Sequence, residues 1–416
     1  MLNHSLLETT GLIDGSTSPQ HAFSPLGLLH LALDKLGKGA PCGIAAFFPD
    51  QSEEQLAVAV ERHARHLPLV HRRIDLSGVK PKIMAPESSS AFVRVSGKSL
   101  EELLEFSVSR SHGGTGWYVL HPNSDGCWLF AIWSHAIADG HSMLRFISQL
   151  TNAPCEKSES AHTERPAMAA GRFLPWMVRT AISEISSRLA FKTFSEPQRN
   201  VTWINASPYT AKSLRATARR LGTGVTGLLC GALVRAFYKS SLIDGSGRLQ
   251  FLVPISRTTC REVNGFGLGI GWLLPDLQVT RASGLEKMAT SIHDQIRAMS
   301  DAGWDKNLER ALGTNYSRLS GKVAKMLKRK QTNFVASVSW KGWIPLVGTA
   351  ATGTRIACFA AVQPNTSLCH VSGHIDQSGL SLSLSSCMPR SATQHLFKSL
   401  LTCLEIDSSE EGYPTR

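Results

Sequence analysis

The sequence predicts an α/β (α+β) protein of two lobes, each a mixed β-sheet with helices. Three observations lead there. At 416 residues the chain exceeds what one ordinary hydrophobic core organises. Apolar runs of strand length alternate with stretches of helical period in both halves. A polar stretch from Thr151 to about Pro166 separates the halves and reads as a linker or surface crossover. The expected division is an N-terminal lobe over 1–160, a crossover over 161–200 and a C-terminal lobe over 201–416. No fixed-period repeat runs through the chain.

The elements follow in order. Ser24-Pro25 opens an amphipathic helix from Leu26 to Leu36, with serine at the cap and proline in the first turn. Ile44 to Phe48 reads as a buried strand. Ser52 and Gln55 form a capping box ahead of a helix of roughly four turns carrying Leu56, Val60, Ala64 and Leu67. Strands are expected around Ala91 to Val95 and Trp117 to Leu120. The turn Pro122 to Gly126 joins the latter to the run Cys127 to Trp133 as a hairpin. Met143, Phe146, Ile147 and Leu150 then take helical spacing. In the second half, helices are expected over Phe173 to Phe194, Thr210 to Leu221, Val225 to Tyr238, Leu285 to Met299 and Leu308 to Leu327. Strands are expected at Leu249 to Ile255, Phe334 to Trp340, Ile356 to Ala361 and Leu380 to Ser385.

Composition narrows the class. A hydrophobic fraction of 42% with 18% charged residues belongs to a globular chain rather than a disordered one. No apolar run reaches membrane-spanning length, and the N-terminal stretch has neither a basic leader nor an apolar core. A cytoplasmic protein, without an integral membrane segment, is expected. The nine cysteines are scattered and none sits at metal-ligand spacing, so reduced thiols are expected, with no zinc site and no disulfide framework. The net charge of +12 suits an acidic protein or a phosphate-bearing cofactor. Its densest cluster is Lys322, Lys325, Lys328, Arg329 and Lys330, which reads as a solvated helix face. No finger cysteines or aromatic RNA-binding strand accompany it, so nucleic acid is not an expected partner.

The chemistry concentrates in Trp133-Ser134-His135-Ala136-Ile137-Ala138-Asp139-Gly140, a strand-to-helix connection. A histidine there can take a proton near neutral pH. An aspartate four residues on can brace the loop, and the glycine frees the turn. The glycines Gly265, Gly267, Gly269 and Gly271 lack the lysine and helix-opening spacing of a nucleotide loop and read as a tight loop or strand crossing.

The segment resembles the active-site motif His-His-x-x-x-Asp-Gly of the thioester-dependent acyltransferase superfamily. That group includes chloramphenicol acetyltransferase, condensation domains, wax ester synthases and plant BAHD enzymes. His135 matches the second, catalytic histidine, and Ser134 stands where the pattern has its first. Val253-Pro254-Ile255-Ser256-Arg257 with Asn264-Gly265-Phe266-Gly267 resembles the second-lobe strand and loop of wax-synthase-like members. Thr332 to Ser337 resembles the strand near the acyl site, and Ser378 to Leu384 the late strand.

The resemblance implies a two-lobed chloramphenicol-acetyltransferase-like fold with an active-site tunnel between the lobes. It implies His135 as general base, Asp139 and Gly140 shaping the loop, and Arg257 as the partner of Asp139. Ser134, Ser337 and Ser339 are candidate substrate-site residues, the last two for oxyanion stabilisation. It also implies acyl-coenzyme A or acyl-phosphopantetheine as co-substrate, with no permanently bound cofactor and no metal. The expected partners are a small-molecule hydroxyl or amine acceptor and an acyl or peptidyl carrier protein; the enzyme is expected to be a monomer. Direct attack without a covalent acyl-enzyme is expected. The alternatives are a free-standing condensation enzyme joining carrier-bound substrates, a non-catalytic docking member of the fold, and the same scaffold turned to another base-catalysed reaction.

Overall fold

The computed structural model describes residues 23–36, 41–64, 72–86, 92–94, 117–150, 198–256, 270–313, 315–328, 336–344, 354–360 and 367–407, with short pieces at 39, 102–103, 191–192, 194 and 362. The crossover from Thr151 to about Pro166, most of the helix expected over Phe173 to Phe194, the glycine-rich loop up to Gly269 and Arg257 lie outside the described residues; the end of that expected helix is not helical, since Phe191 forms an isolated antiparallel bridge with Ile243.

In the first half the chain forms α1 (Pro25–Lys35), β1 (Pro41–Pro49), α2 (Glu53–Ala64), β2 (Arg72–Asp75), β3 (Lys82–Pro86), β4 (Phe92–Arg94), β5 (Trp117–Asn123), β6 (Gly126–Ser134) and α3 (Gly140–Leu150). The second half begins with β7 (Asn200–Ala206), α4 (Pro208–Arg220), α5 (Val225–Lys239), β8 (Gly247–Ser256), β9 (Ile270–Leu273) and β10 (Asp276–Val279). It continues through α6 (Leu285–Asp301), α7 (Trp304–Leu312), α8 (Tyr316–Lys328), β11 (Ala336–Trp343), β12 (Arg355–Ala360), β13 (Cys369–Asp376), β14 (Gly379–Ser386) and α9 (Arg390–Cys403).

Two mixed sheets result, as the sequence predicts. The first has strand order β12-β1-β6-β5-β4. The second runs β10-β8-β11-β13-β14-β7, with β9 also paired to β8. Local chemistry explains the ends. Gly27 N–H donates to Ser24 Oγ at 3.1 Å at the start of α1. Ser52 and Gln55 cap each other reciprocally before α2, at 2.9 and 3.2 Å, the arrangement that satisfies two otherwise orphaned donors. The β5–β6 hairpin closes through Asn123 opposite Gly126.

Two further features depart from the sequence reading. The helix expected from Leu308 to Leu327 is two helices. Gly313 adopts φ 70° and its N–H returns to Glu309 O at 2.9 Å, a left-handed stop that glycine takes without a Cβ penalty. Arg355–Ala360, late in the chain, crosses back to edge the first sheet, pairing with β1 from Cys42↔Ala360 to Phe47↔Arg355. Its alternate residues then serve two cores. Ile356 and Cys358 face the core under α1 and α3, whereas Ala357 and Phe359 meet Val201 and Trp203 of the second sheet. That strand therefore fixes one lobe against the other.

The cavity opens into the second sheet for a backbone reason. β8 pairs in parallel with β11 only through Phe251↔Ala336 and Leu252↔Ser337. Phe251 N–H points the other way, to Pro275 O at 2.9 Å. By strand alternation position 254 would direct its N–H toward β11, and Pro254 has none to give. Beyond Leu252 the two strands part, and the residues past that point line the cavity.

Candidate active site

β6 is buried along nearly its whole length and delivers the chain into the turn that carries His135. Trp133, fully buried, anchors its end with its ring edge-on to Tyr118 and Phe146 at 5.9 and 5.2 Å. Several hydrogen bonds then hold the turn. Ile137 N–H donates to Ser134 O at 3.1 Å, and Ala136 N–H to Ser134 Oγ at 3.2 Å. The Cys42 thiol, reaching over from β1, donates to Ala138 O at 3.3 Å. Asp139 is the N-cap of α3: its Oδ1 accepts from Ser142 N–H at 2.8 Å and its carbonyl from Met143 N–H at 3.0 Å. A carboxylate at that position satisfies orphan donors and complements the helix dipole.

Ser134 donates its hydroxyl to Asp34 Oδ2 at 2.7 Å, tying the turn to α1. Burial pushes the Asp34 carboxyl up to about 6, against the lowering effect of the Ser134 hydrogen bond. A carboxyl whose folded pKa is raised contributes stability at low pH that is lost as pH rises through that value. Denaturant midpoints should therefore decline as pH rises from about 4 to about 6. Asp34→Asn should flatten that decline and gain about 1–2 kcal/mol at pH 8, a figure reduced for the group's partial exposure; an unchanged pH slope in the variant would refute this.

A cavity of about 750 Å³ lies where the lobes meet. His135, Gly140, Ser337 and Ser339 all open on it. Ser134 and Asp139 are buried behind the turn, at 3% and 2% exposure, and Arg257 lies outside the described residues. Much of the wall is apolar, with Leu29 and Leu33 from α1, Val253 and Ile255 from β8, Trp272 from β9 and Leu319 from α8. Among the described residues no group of three His, Cys, Asp or Glu side chains is placed to hold a metal ion.

His135 shares the cavity with three further histidines, His30, His141 and His370. The His30 ring stacks on His135 with centroids 4.7 Å apart and planes at 21°, and meets Trp272 edge-on at 5.4 Å. Burial lowers the pKa of His135; the Asp139 charge and turn backbone oppose this and Lys341 adds to it. Burial likewise holds His30 well below the usual histidine value. His370 is pushed down to about 3 by burial, Lys341 and His135. Burial also lowers His141, with Asp139 opposing and Lys341 reinforcing. At neutral pH the cluster is uncharged, and His135 presents a free base.

The polar stripe opposite comes from two parallel strands. Ser337 lies beside His370 and Ser339 beside Ser372 in register. Lys341 follows Ser337 and Ser339 at two-residue intervals, and its Nζ donates to Ser372 Oγ. The same lysine accounts for the glycine of the motif. A Cβ on Gly140 would stand 2.2 Å from Lys341 Cε and 3.3 Å from its Nζ, so the lysine crosses the start of α3 only because position 140 has no side chain.

Sequence reasoning missed His30, His370 and Lys341 as members of this site. His30 carries a weak signal, a histidine on the buried face of an otherwise apolar helix. Lys341 could have been found from strand period, since it shares the alternation of Ser337 and Ser339.

No family model matches the sequence, and no curated protein matches it. Solved structures do match over nearly the whole chain. Trichothecene 15-O-acetyltransferase from Fusarium sporotrichioides superposes with a TM-score of 0.64 at 12% identity, covering 92% of this chain and 93% of that one. The EpoB NRPS cyclization-docking bidomain from Sorangium cellulosum gives 0.60 at 13% identity, covering 92% and 83%. Wax ester synthase/diacylglycerol acyltransferase from Marinobacter aquaeolei VT8 gives 0.54 at 14%, covering 88% and 93%. This chain therefore has the two-lobed fold shared by these acyltransferase and peptide-synthetase proteins, the fold that its motif resemblance implies.

Proposed function

We propose that the protein is an acyltransferase that moves an acyl group from a coenzyme A or carrier-protein thioester to a hydroxyl or amine, with His135 as general base. The observation that carries this reading is His135 itself: a neutral imidazole at the end of β6, opening on a large apolar cavity lined from both lobes. A thioester is already activated, so what the reaction chiefly requires is removal of a proton from the attacking acceptor, the role an imidazole fills near neutral pH. Asp139 shapes the turn as a helix cap and acts on His135 through its charge, without contacting substrate. In this reading Ser337 and Ser339 contact substrate from the opposite wall, and Arg257 braces Asp139.

Fold alone does not fix activity. The acyl-transfer reading gains support from the fold's occurrence in a trichothecene acetyltransferase and a wax ester synthase. A carrier-protein donor gains support from its occurrence in peptide-synthetase domains and from the basic charge of the chain, because electrostatic complementarity speeds encounter with an acidic partner. Lys322 and Lys325 stand exposed on α8, and Lys322 belongs to the cavity wall. The donor's phosphates or an acidic carrier would approach on that face.

The test is release of free thiol from acetyl- and decanoyl-coenzyme A, and from the corresponding acyl-carrier proteins, in the presence of alcohols and amines. Acceptor-dependent release is expected. Mass spectrometry after incubation with donor alone should show the unmodified chain; a stable acyl adduct would contradict direct transfer. Thiol release no faster than without protein, for every donor and acceptor class, would contradict the reading itself.

A further inference from the structure

Lys341 is a cation inside a largely apolar cavity. Its side chain is half-buried, and its Nζ hydrogen-bonds the Ser372 hydroxyl. Among the described residues no carboxylate stands within 4 Å of that Nζ. An ammonium carries three donors, and among the described residues Ser372 takes one of them. Its field acts on the groups around it, His135, His141, His370, Cys42 and Cys358. The Asp139 carboxylate acts on His135, His141 and Cys42 too, but its Oδ1 is turned to the α3 backbone. The lysine also crosses the first residue of α3, where the helix dipole adds positive potential. The ammonium and the start of α3 together give this part of the cavity wall a positive potential suited to an anion.

We propose that Lys341 is the anion-holding residue of the site, receiving the donor carbonyl oxygen as it becomes negatively charged. This deepens the acyltransfer reading and rests on it. The acceptor's lone pair forms the new bond to the carbonyl carbon while its proton passes to His135. The C=O electron pair moves onto oxygen, where the Lys341 ammonium and the Ser372 hydroxyl beside it face the charge. Collapse restores the C=O bond and breaks the C–S bond, and the departing thiolate takes the proton from His135. Ser337 and Ser339, on the same face of β11, then line the acyl path rather than hold the oxyanion.

The geometry yields a test in three arms. Lys341→Met keeps the length of the side chain and removes its charge. With decanoyl-coenzyme A and any accepted alcohol, kcat should fall about 10²-fold or more with KM little changed, the signature of an interaction made in the transition state. Lys341→Arg should restore part of it. Gly140→Ala, which leaves the charge but displaces the lysine, should lower kcat in the same way. A rise in KM with kcat unchanged would instead assign Lys341 to a carboxylate on the substrate, and would overturn the oxyanion role.

The second arm needs no turnover: binding of decanoate and of decanol, read by tryptophan fluorescence, since Trp272 and Trp340 line the cavity. Lys341→Met should weaken decanoate binding at least tenfold and leave decanol unchanged. Equal loss for both, or for neither, overturns the anion site whatever reaction the protein performs. Retained decanoate selectivity in a protein that transfers no acyl group would instead locate the failure in the acyltransfer reading. In the third arm, NMR titration of His135 in Lys341→Met should move its pKa upward, because a nearby positive charge has been removed. An unmoved His135 would show that the lysine does not face it.

Discussion

His135→Ala should lower kcat/KM for acceptor-dependent thiol release by about 10²–10⁴-fold, the range that a positioned general base contributes. The variant should remain folded, with a denaturation midpoint close to that of the unmodified protein. The ring lies at the cavity wall rather than within either hydrophobic core, so its removal enlarges an existing space. The neighbouring histidines do not substitute for it. His370 is held at about 3, far too weak a base, and His30 is lowered further than its stacking partner by burial and by His135 itself. His141, the second residue of α3, is likewise lowered by burial. Steady-state kinetics beside circular dichroism separates lost chemistry from lost structure.

Trp133→Ala should cost about 3–5 kcal/mol of stability, the largest effect expected of any single truncation near the site. The indole is fully buried, packs edge-on against two aromatic rings, and sits directly before the turn. Its backbone carbonyl also takes part in the Cys42 thiol contact at 3.6 Å. Losing the ring leaves a cavity beneath the turn that carries His135. Chemical denaturation should show the loss, and Trp133→Phe, which keeps an aromatic ring, should recover more than half of it. A loss under 1 kcal/mol would mean that the turn is supported elsewhere.

The parts of the protein legible in its sequence are those with local signals. The Ser52–Gln55 capping box, the β5–β6 hairpin and the passage from β6 through His135 into α3 each depend on residues within a few positions of one another. The two-lobed α/β organisation follows from chain length and alternating periods. What escaped depends on long-range packing. Nothing within residues 355–360 announces that they leave the second half to edge β1. The stacking of His30 on His135 joins two elements that share no local pattern. Lys341 lay in plain view, on the alternation of the two serines singled out for the oxyanion, yet a lysine near a strand end ordinarily reads as a solvated terminus. The helix break at Gly313 was missed because the apolar period on either side runs on across it.

The most direct test of the central claim is the pH dependence of kcat/KM for thiol release, measured beside the NMR titration of His135. Because burial lowers the His135 pKa, the base is unprotonated at neutral pH and is lost on acidification, so activity should fall on the acid side with a midpoint below about 6.5. The expected result is one shared midpoint for the rate and for the His135 resonances. A rate that stays constant through the His135 titration would contradict the assignment of this residue as the base.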